Sequence, residues 1–585
     1  MGSFYPPARE RRATDLLSMV EESARLFGDK EYLVYKNGSG LASLSFEELK
    51  NRVTALGEAL LTMGFSGAPV AVIGETSPEW ITTYIATVAS GNVIVPLDRE
   101  LARDEIVGFI GKVGCRAVVF SQKYAAYFDG HGEEYPGVEY FVQISKEMPE
   151  GYVPETDRPS PGHVDFEDLL AYGKRCLDEG GALLAGLEKD LSKTSAILFT
   201  SGTTGTAKGV MLSHGNLVAA INSSYNMTNF HEDDVIVSVL PVHHTYEMTC
   251  GILTPIIIGC TVCINDSLKR VVKNFQLYRP TGLVLVPLFV STIYKKIWET
   301  AKKSGKERLL RGSIAASGLL RKVHIDPRRI LFKSVREAFG GKLVRIICGG
   351  APMEADFVKE FDDFGVALCQ GYGITECAPL IAVCPENANR AGSVGLPVPG
   401  LEVRIDKEEG EDFGEIVVKG PNVMQGYFED EEATRAVLDE DGWFRTGDYG
   451  YQDEDGYLYV TGRKKNVIVL DNGKNVFPEE IEEYLEKIDL VCEVAVVGRK
   501  NAEGAVTVTA LIYPDFNRAA EMGLGEDLGA ISAELKGDIA RLNRSLPAFK
   551  QIRDVELRRT EFDKTTTHKI KRYKIDQAQN AAVKE

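Results

Sequence analysis

Thr200-Ser201-Gly202-Thr203-Thr204-Gly205-Thr206-Ala207-Lys208-Gly209 is entered by the apolar, strand-like run Ala196–Thr200. Its three glycines let the backbone bend so that several N–H groups point into one concavity. The hydroxyls of Thr200, Ser201, Thr203 and Thr204 add donors, and Lys208 adds a positive charge. That combination suits a polyphosphate. It is not a Walker A loop, because no Lys-Ser or Lys-Thr follows the second glycine at the required offset. A flexible polar surface loop is the other reading of the same ten residues.

Outward from this loop, apolar runs alternate with amphipathic stretches. Val70–Gly74, Val93–Pro96, Ala117–Ser121, Val235–Leu240, Leu283–Pro287 and Leu343–Cys348 read as further buried strands. Phe46–Met63 and Ser77–Ala89 read as helices between them. The rhythm predicts α/β layers with parallel sheets. Around Thr461–Asn472 the texture becomes charged and exposed. A helix over Pro478–Ile488, strands over Glu493–Val497 and Val506–Tyr513, a helix over Asp527–Ser545 and a basic tail follow. The expected organisation is a large N-terminal α/β domain over residues 1–462. A small mobile α+β C-terminal domain over residues 463–585 hangs from it on a hinge.

Composition narrows the function classes. The 585 residues carry 67 basic and 85 acidic side chains, a net charge of −18, which opposes bulk binding to nucleic acid. A hydrophobic share of 44% supplies a large core and excludes wholesale disorder. Met1–Asp15 holds Arg9, Arg11 and Arg12 with no apolar run after them, so no secretory signal is read there. Pro6 spoils a myristoylation match. The longest apolar stretch, Gly251–Ile264, is too short to span a bilayer and contains Pro255. The expectation is a cytoplasmic protein. Of ten cysteines only Cys260 and Cys263 make a C-x-x-C, in a strand-like run where they face opposite sides, which disfavours a zinc or redox site. No H-E-x-x-H and no G-x-S-x-G occurs, so zinc hydrolysis and a serine elbow have no support.

Further motifs follow the loop in order. They are Leu240-Pro241-Val242-His243-His244-Thr245-Tyr246-Glu247, Gly349-Gly350-Ala351-Pro352 and Gln370-Gly371-Tyr372-Gly373-Ile374-Thr375-Glu376. Then come Gly414-Glu415-Ile416, Gly442-Trp443-Phe444-Arg445-Thr446-Gly447-Asp448 and Thr461-Gly462-Arg463-Lys464-Lys465. Together, in this order, they resemble the adenylate-forming (AMP-binding) acyl-CoA synthetase and luciferase superfamily, over about Leu44 to Lys571. The resemblance implies a magnesium-dependent ligase that uses ATP and coenzyme A. A carboxylate attacks the α-phosphate of ATP to give an acyl-adenylate and pyrophosphate, and a thiol then displaces AMP. Two departures stand out: Ala207 where proline is common, and His568 before Lys569 where glycine is usual. Neither removes a charge or a donor.

The resemblance also implies roles. Adenylyl transfer spreads negative charge over phosphate oxygens, so catalysis is mostly the placing of donors and cations around it. Thr375 is expected to donate to the α-phosphate. Glu376 is expected to hold Mg²⁺ with the hydroxyl of Thr200, because a hard cation that keeps its waters needs few protein oxygens. Gly349, Gly350 and Ala351 give a wall without side chains for a flat adenine, beside Gly371 and Gly373, with Tyr372 stacked on the ring. Asp448, read as lying in a glycine-rich turn, offers two acceptors to the ribose hydroxyls, and Arg463 helps hold ribose or phosphate. A turn-forming aspartate is the plainer reading of Asp448, and a helix N-terminal acid that of Glu376. His244 is placed near the acyl carboxylate, with His243 a structural neighbour. Lys569 enters from the small domain to bridge carboxylate and α-phosphate, and Lys465 is the hinge.

About sixty residues separate Val286-Pro287 from Gly349-Gly350, a stretch that resembles the insertion of the long-chain fatty acid–CoA ligase branch. The expected substrate is therefore a long- or medium-chain fatty acid. Activation of an aromatic or other bulky acid, loading onto a carrier protein, and a non-catalytic nucleotide sensor are the alternatives. Ala301–Arg345 holds 13 Lys/Arg against Glu307, Asp326 and Glu337. Peripheral contact with an anionic membrane at its inner face is one use of that charge. Steering of nucleotide phosphates and a solvated helix face are the others.

Overall fold

The computed structural model describes residues 4–130, 132–144, 158–200, 207–471, 474–501, 504–564, 570–572 and 574–575. Two large sheets dominate it. In the first, six strands run parallel in the spatial order Thr194–Thr200, Val93–Pro96, Pro69–Ile73, Ala117–Ser121, Tyr140–Ile144, Gly162–Asp165. Antiparallel strands Lys208–Ser213 and Gly426–Tyr427 close one edge. In the second, six parallel strands lie in the order Ala367–Gly373, Arg345–Cys348, Gly282–Leu285, Val235–Ser238, Thr261–Ile264, Glu31–Asn37. Leu380–Val383 and Leu396–Pro397 at one end, and Gly40–Ser45 at the other, run antiparallel.

The central strands are apolar on both faces because helices cover both sides. Val93–Pro96 and Gly282–Leu285 are buried along their whole length. Helix Phe46–Thr62 starts on a capping box, Ser45 with Glu48, and helix Pro78–Ala89 on Ser77 followed by Pro78. Their apolar faces join the largest core cluster, with Leu49, Val53, Trp80 and Ile85 fully buried. A four-stranded antiparallel sheet, Glu402–Lys407, Gly414–Lys419, Phe444–Gln452 and Leu458–Arg463, follows. Val491–Lys500, Val506–Pro514 and Asp554–Leu557 form a three-stranded sheet that packs with helices Pro478–Leu485 and Leu528–Asn543 around a core of its own.

All seven buried strands read from the sequence are present, with ends moved by prolines and polar residues. Val235–Leu240 stops at Ser238 before the Pro241 turn, and Leu283–Pro287 stops at Leu285 because Pro287 opens a helix. The apolar stretch Gly251–Ile264 is split between a π-helix ending at Leu253, a short helix Thr254–Ile258 and the strand Thr261–Ile264. Among the described residues no helix is long and apolar enough to cross a membrane. Cys260 and Cys263 belong to different core clusters, on opposite faces, and all ten thiols are free.

The expected basic stretch is partly internal. Arg345 is buried at the start of its strand, 2.8 Å from Asp234 and 3.0 Å from Glu386. Its guanidinium also lies 5.3 Å from the Phe230 ring centroid. Phe230 lies against Gly282, where an added Cβ would sit 2.1 Å from the ring. Removing one partner of a buried pair leaves uncompensated charge, which costs about 3–5 kcal/mol. Arg345→Met is therefore expected to lower the unfolding free energy by about 3 kcal/mol, read from the urea midpoint. An unchanged midpoint contradicts the network.

Candidate active site

Parallel strands deliver their C-terminal ends to one sheet edge, and the turns that leave it build sites there. Four adjacent strands of the second sheet do so here. Val235–Ser238 runs on to His243 and His244, Gly282–Leu285 to Val286, Arg345–Cys348 to Gly349–Ala351, and Ala367–Gly373 to Thr375 and Glu376. The motifs are thus successive exits from one edge. From the first sheet, Thr194–Thr200 enters the glycine loop and Lys208–Ser213 leaves it, with Thr200 directly opposite Lys208. The Thr200 hydroxyl donates to the Lys208 carbonyl at 3.5 Å. Ser201, Gly202, Thr203, Thr204 and Gly205 lie outside the described residues, as does Lys569.

Asp448 sits at the centre of a polar cluster. Its Oδ2 accepts from the Tyr372 hydroxyl at 2.6 Å, and its Oδ1 lies 2.8 Å from Arg463 Nε. The turn expected at Asp448 is corrected: the residue lies inside strand Phe444–Gln452, paired with Arg463 of Leu458–Arg463. Of the two glycines that suggested a turn, Gly447 sits at φ 71° in a bulge beside it, and Gly442 lies in the turn before the strand. Burial first, then the Asp448 charge, push the Tyr372 hydroxyl far above its ordinary range, so it stays a donor. In this state the tyrosine offers its hydroxyl to Asp448 and its ring to the adjoining cavity. Tyr372 and Glu376 also lie within the field of Arg463.

Glu376 and Lys208 are linked by a residue that the sequence did not mark. The Tyr427 hydroxyl donates to Glu376 Oε1 at 3.0 Å, and the Lys208 ammonium lies 4.6 Å from the Tyr427 ring centroid. Tyr427 reaches this place through the two-residue strand Gly426–Tyr427, paired with Val210 and Met211. So short a strand has no periodicity to read. Thr375 and Glu376 form a single 3₁₀ turn. That removes the plain reading of Glu376 as the acid of a helix start, for no α-helix follows.

The glycines are required by the backbone itself. A Cβ on Gly349 would lie 3.0 Å from the Gly371 carbonyl, and one on Gly373 only 2.0 Å from the Pro379 carbonyl. Gly349, Gly350, Gly371, Tyr372 and Gly373 line one part of a cavity of about 50 Å³. Phe230, Val284, Ile347, Leu380 and Val383 make the rest of its wall largely apolar. Tyr246 lines it too, its hydroxyl 3.2 Å from the carbonyls of both Leu285 and Ile347.

His243 is buried with Nε2 3.5 Å from Asp98, and its ring centroid lies 4.2 Å from that of half-buried His244. Asp98 follows the strand Val93–Pro96, so the pair spans the two large sheets. Lys465 is exposed on the 3₁₀ turn Lys464–Asn466, and its neighbour Lys464 is held 2.9 Å from Glu415.

Residues 20–428 match the family described as AMP-binding enzyme, and residues 465–585 match the AMP-binding enzyme C-terminal domain. The long-chain-fatty-acid–CoA ligase FadD15 of Mycobacterium bovis is 28% identical over 593 residues, covering 95% of this chain and 94% of its own. The indoleacetate–CoA ligase of Aromatoleum aromaticum is 31% identical over 510 residues, covering 85% and 87%. The crystal structure of ATP-bound MatB from Rhodopseudomonas palustris superimposes with a TM-score of 0.70 at 26% identity, covering 96% of this chain and 98% of that one.

Beside the cavity, Glu247 opens the π-helix Glu247–Leu253 and is fully buried. Its Oε1 accepts from Ser238 at 2.5 Å, and Gly251 leaves room for the carboxyl. Burial pushes this carboxyl from an ordinary 4.5 up to about 8. The fold then keeps the proton while the unfolded chain loses it, so stability falls as pH rises from 4.5 toward 8. Glu247→Gln removes that loss. Its stability relative to the parent is expected to rise by about 2 kcal/mol between pH 5 and pH 7, measured by urea unfolding at each pH. A pH-independent difference contradicts the buried proton.

Proposed function

The chain belongs to the AMP-binding enzyme family, and on that premise we propose that it is an ATP-dependent acyl-CoA ligase for fatty acids of medium or long chain. The observation that carries this reading is the apolar cavity of Phe230, Val284, Ile347, Leu380 and Val383, continuous with the glycine wall and Tyr372. The apolar lining suits the first carbons of an alkyl chain, and a planar base would lie against backbone where no side chain projects. The relationship to FadD15 supports the same acid class. The 31% identity to an indoleacetate–CoA ligase supports a second reading, an aromatic acid, with Phe230 and Tyr246 as ring partners.

In the proposed first step the acid oxygen attacks the α-phosphorus of ATP and pyrophosphate leaves. Asp448, freed from Tyr372, accepts the ribose hydroxyls, and Arg463 turns toward phosphate. Thr375 donates to the α-phosphate, and Lys208 and the loop Ser201–Gly205 face the outgoing phosphates. His244 stands by the carboxylate. Among the described residues no group of three or more His, Cys, Asp or Glu gathers into a metal cage. Glu376 with the Thr200 hydroxyl is a sparse oxygen set, which fits Mg²⁺ and not a softer metal. The ion, held there, would neutralise phosphate charge. In the second step the coenzyme A thiol adds to the acyl carbon and AMP departs. Residues 1–462 and 463–585 act as two bodies that turn about Lys465 between the steps, carrying Lys569 in and out.

Pyrophosphate release across saturated acids of rising chain length, indoleacetate and benzoate, with and without coenzyme A, tests the proposal. Fatty acids are expected to give the highest kcat/KM and a coenzyme A thioester. A preference for indoleacetate would select the second reading. Lys569→Ala is expected to cut acyl-adenylate formation at least about a hundredfold while a supplied acyl-adenylate is still converted, since its charge serves only the first transition state. Lys465→Pro, which fixes φ near roughly −65°, is expected to abolish one half-reaction and spare the other. Wild-type rates in both would place the hinge elsewhere.

A further inference from the structure

The segment between strands Gly282–Leu285 and Arg345–Cys348 folds as helices Pro287–Lys303, Glu307–Arg321, Arg328–Leu331 and Lys333–Ala338. Its inner side is anchored. Val290, Ile293, Ile297 and Phe332 are buried, and Arg321 and Arg328 each lie 2.7 Å from Asp362 of the helix Ala355–Asp363. Its outer side is unusual. Leu309, Gly312, Ala316, Leu319, Leu320 and Val323 recur every three or four residues, or adjacent to one another, on one stripe of Glu307–Arg321 and the turn beyond it, and all are exposed. Leu309, Leu319, Val323, Ile325 and Ile330 are 55–81% exposed. Around them stand Lys302, Lys303, Lys306, Arg308, Lys322 and Arg329, which make no ion pair among the described residues.

We propose that this face docks on the surface of an anionic lipid bilayer, its leucine stripe set among the acyl chains and its free cations against the headgroups. An apolar stripe rimmed by lysine and arginine has the two-part chemistry of an interfacial helix, because long cationic side chains lay their stems on apolar surface and keep the charge at the headgroup level. The charge is local. A chain of net charge −18 is repelled by an anionic surface everywhere except where such a patch faces it. A second copy of the chain fits less well, since a two-fold contact through this stripe sets the same cations against each other. Nucleic acid fits less well because the stripe holds no aromatic side chain to stack on bases. The flanking strands carry Val284 and Ile347 of the cavity wall, so docking here brings that wall within one chain connection of the membrane. The docking itself stands on the surface alone and is read without turnover. Arg321, Arg328 and Arg345 take no part, being anchors of the fold.

The test is cosedimentation of the full chain with vesicles of phosphatidylcholine alone or mixed with phosphatidylglycerol. The parent is expected to bind the mixed vesicles at least about tenfold better, with binding fading as salt rises. Two variants are compared, Leu319→Gln/Val323→Gln/Ile330→Gln and Lys303→Gln/Lys306→Gln/Lys322→Gln/Arg329→Gln. Each is expected to lose at least about tenfold in partitioning, since one cation near the surface is worth about fivefold. Leu319→Cys in a Cys492→Ser background, labelled with a polarity-sensitive dye, is expected to shift to the blue only with mixed vesicles, a readout that needs no multiple variant to fold. The proposal is overturned if the parent ignores the mixed vesicles, binds both compositions alike, or is matched by either variant. A parent dimer that the leucine variant dissociates, with no vesicle binding, also overturns it.

Discussion

The parallel pairing of six strands in each large sheet is the constraint on which the rest of the structure depends. Parallel neighbours force every connection to cross back over the sheet, so all C-terminal ends reach the same edge. Residues more than a hundred positions apart, such as His244 and Thr375, thereby leave one side of one sheet. The site needs no special device to gather them. Helix starts, glycines and buried pairs serve mainly to hold the strand register that the convergence requires. Tyr246 shows this directly, its hydroxyl reaching the carbonyls of two neighbouring parallel strands.

Upon that edge the antiparallel sheet sets a polar cluster whose groups satisfy one another. Asp448 is buried, and a buried carboxylate without partners is costly. Tyr372 and Arg463 meet that need from two different sheets. A ligand that offers hydroxyls to Asp448 exchanges one set of hydrogen bonds for another and leaves no bare charge, so binding and release both remain accessible. The Tyr427 link works in the same way, its neutral hydroxyl donating to Glu376 and its ring face meeting Lys208, two groups that a charged ligand would draw apart.

Charge in this chain is divided between inside and outside in a way that counting does not reveal. Of the cations in 301–345, Arg345 is internal, and Arg321 and Arg328 clamp the inserted helices onto Asp362. Arg311 and Lys333 pair with Glu307 and Glu337 of their own helices, while Lys302, Lys303, Lys306, Arg308, Lys322 and Arg329 are exposed beside the exposed Leu309 and Leu319. A composition of 13 against three thus covers anchors of the fold, local ion pairs and exposed cations.

The sequence by itself determined the layers, because buried parallel strands must be continuous apolar runs and because helices between them carry their own start signals. It also determined the motif order, since Gly349, Gly350, Thr375 and Glu376 lie where the chain leaves strands Arg345–Cys348 and Ala367–Gly373. Tertiary structure decided what is placed across strands. Asp448 reads as a turn residue along the chain and becomes a strand residue only when Arg463 pairs beside it. Tyr427 has no local signal at all, because its two-residue strand exists only through its neighbour. Glu247 is an ordinary acid in the sequence and a proton-holding one in the fold, for burial is a property of surroundings. Which lysines and arginines are free and which are anchors was decided likewise, since an ion pair is a fact about two side chains in space, and a sequence describes only one at a time.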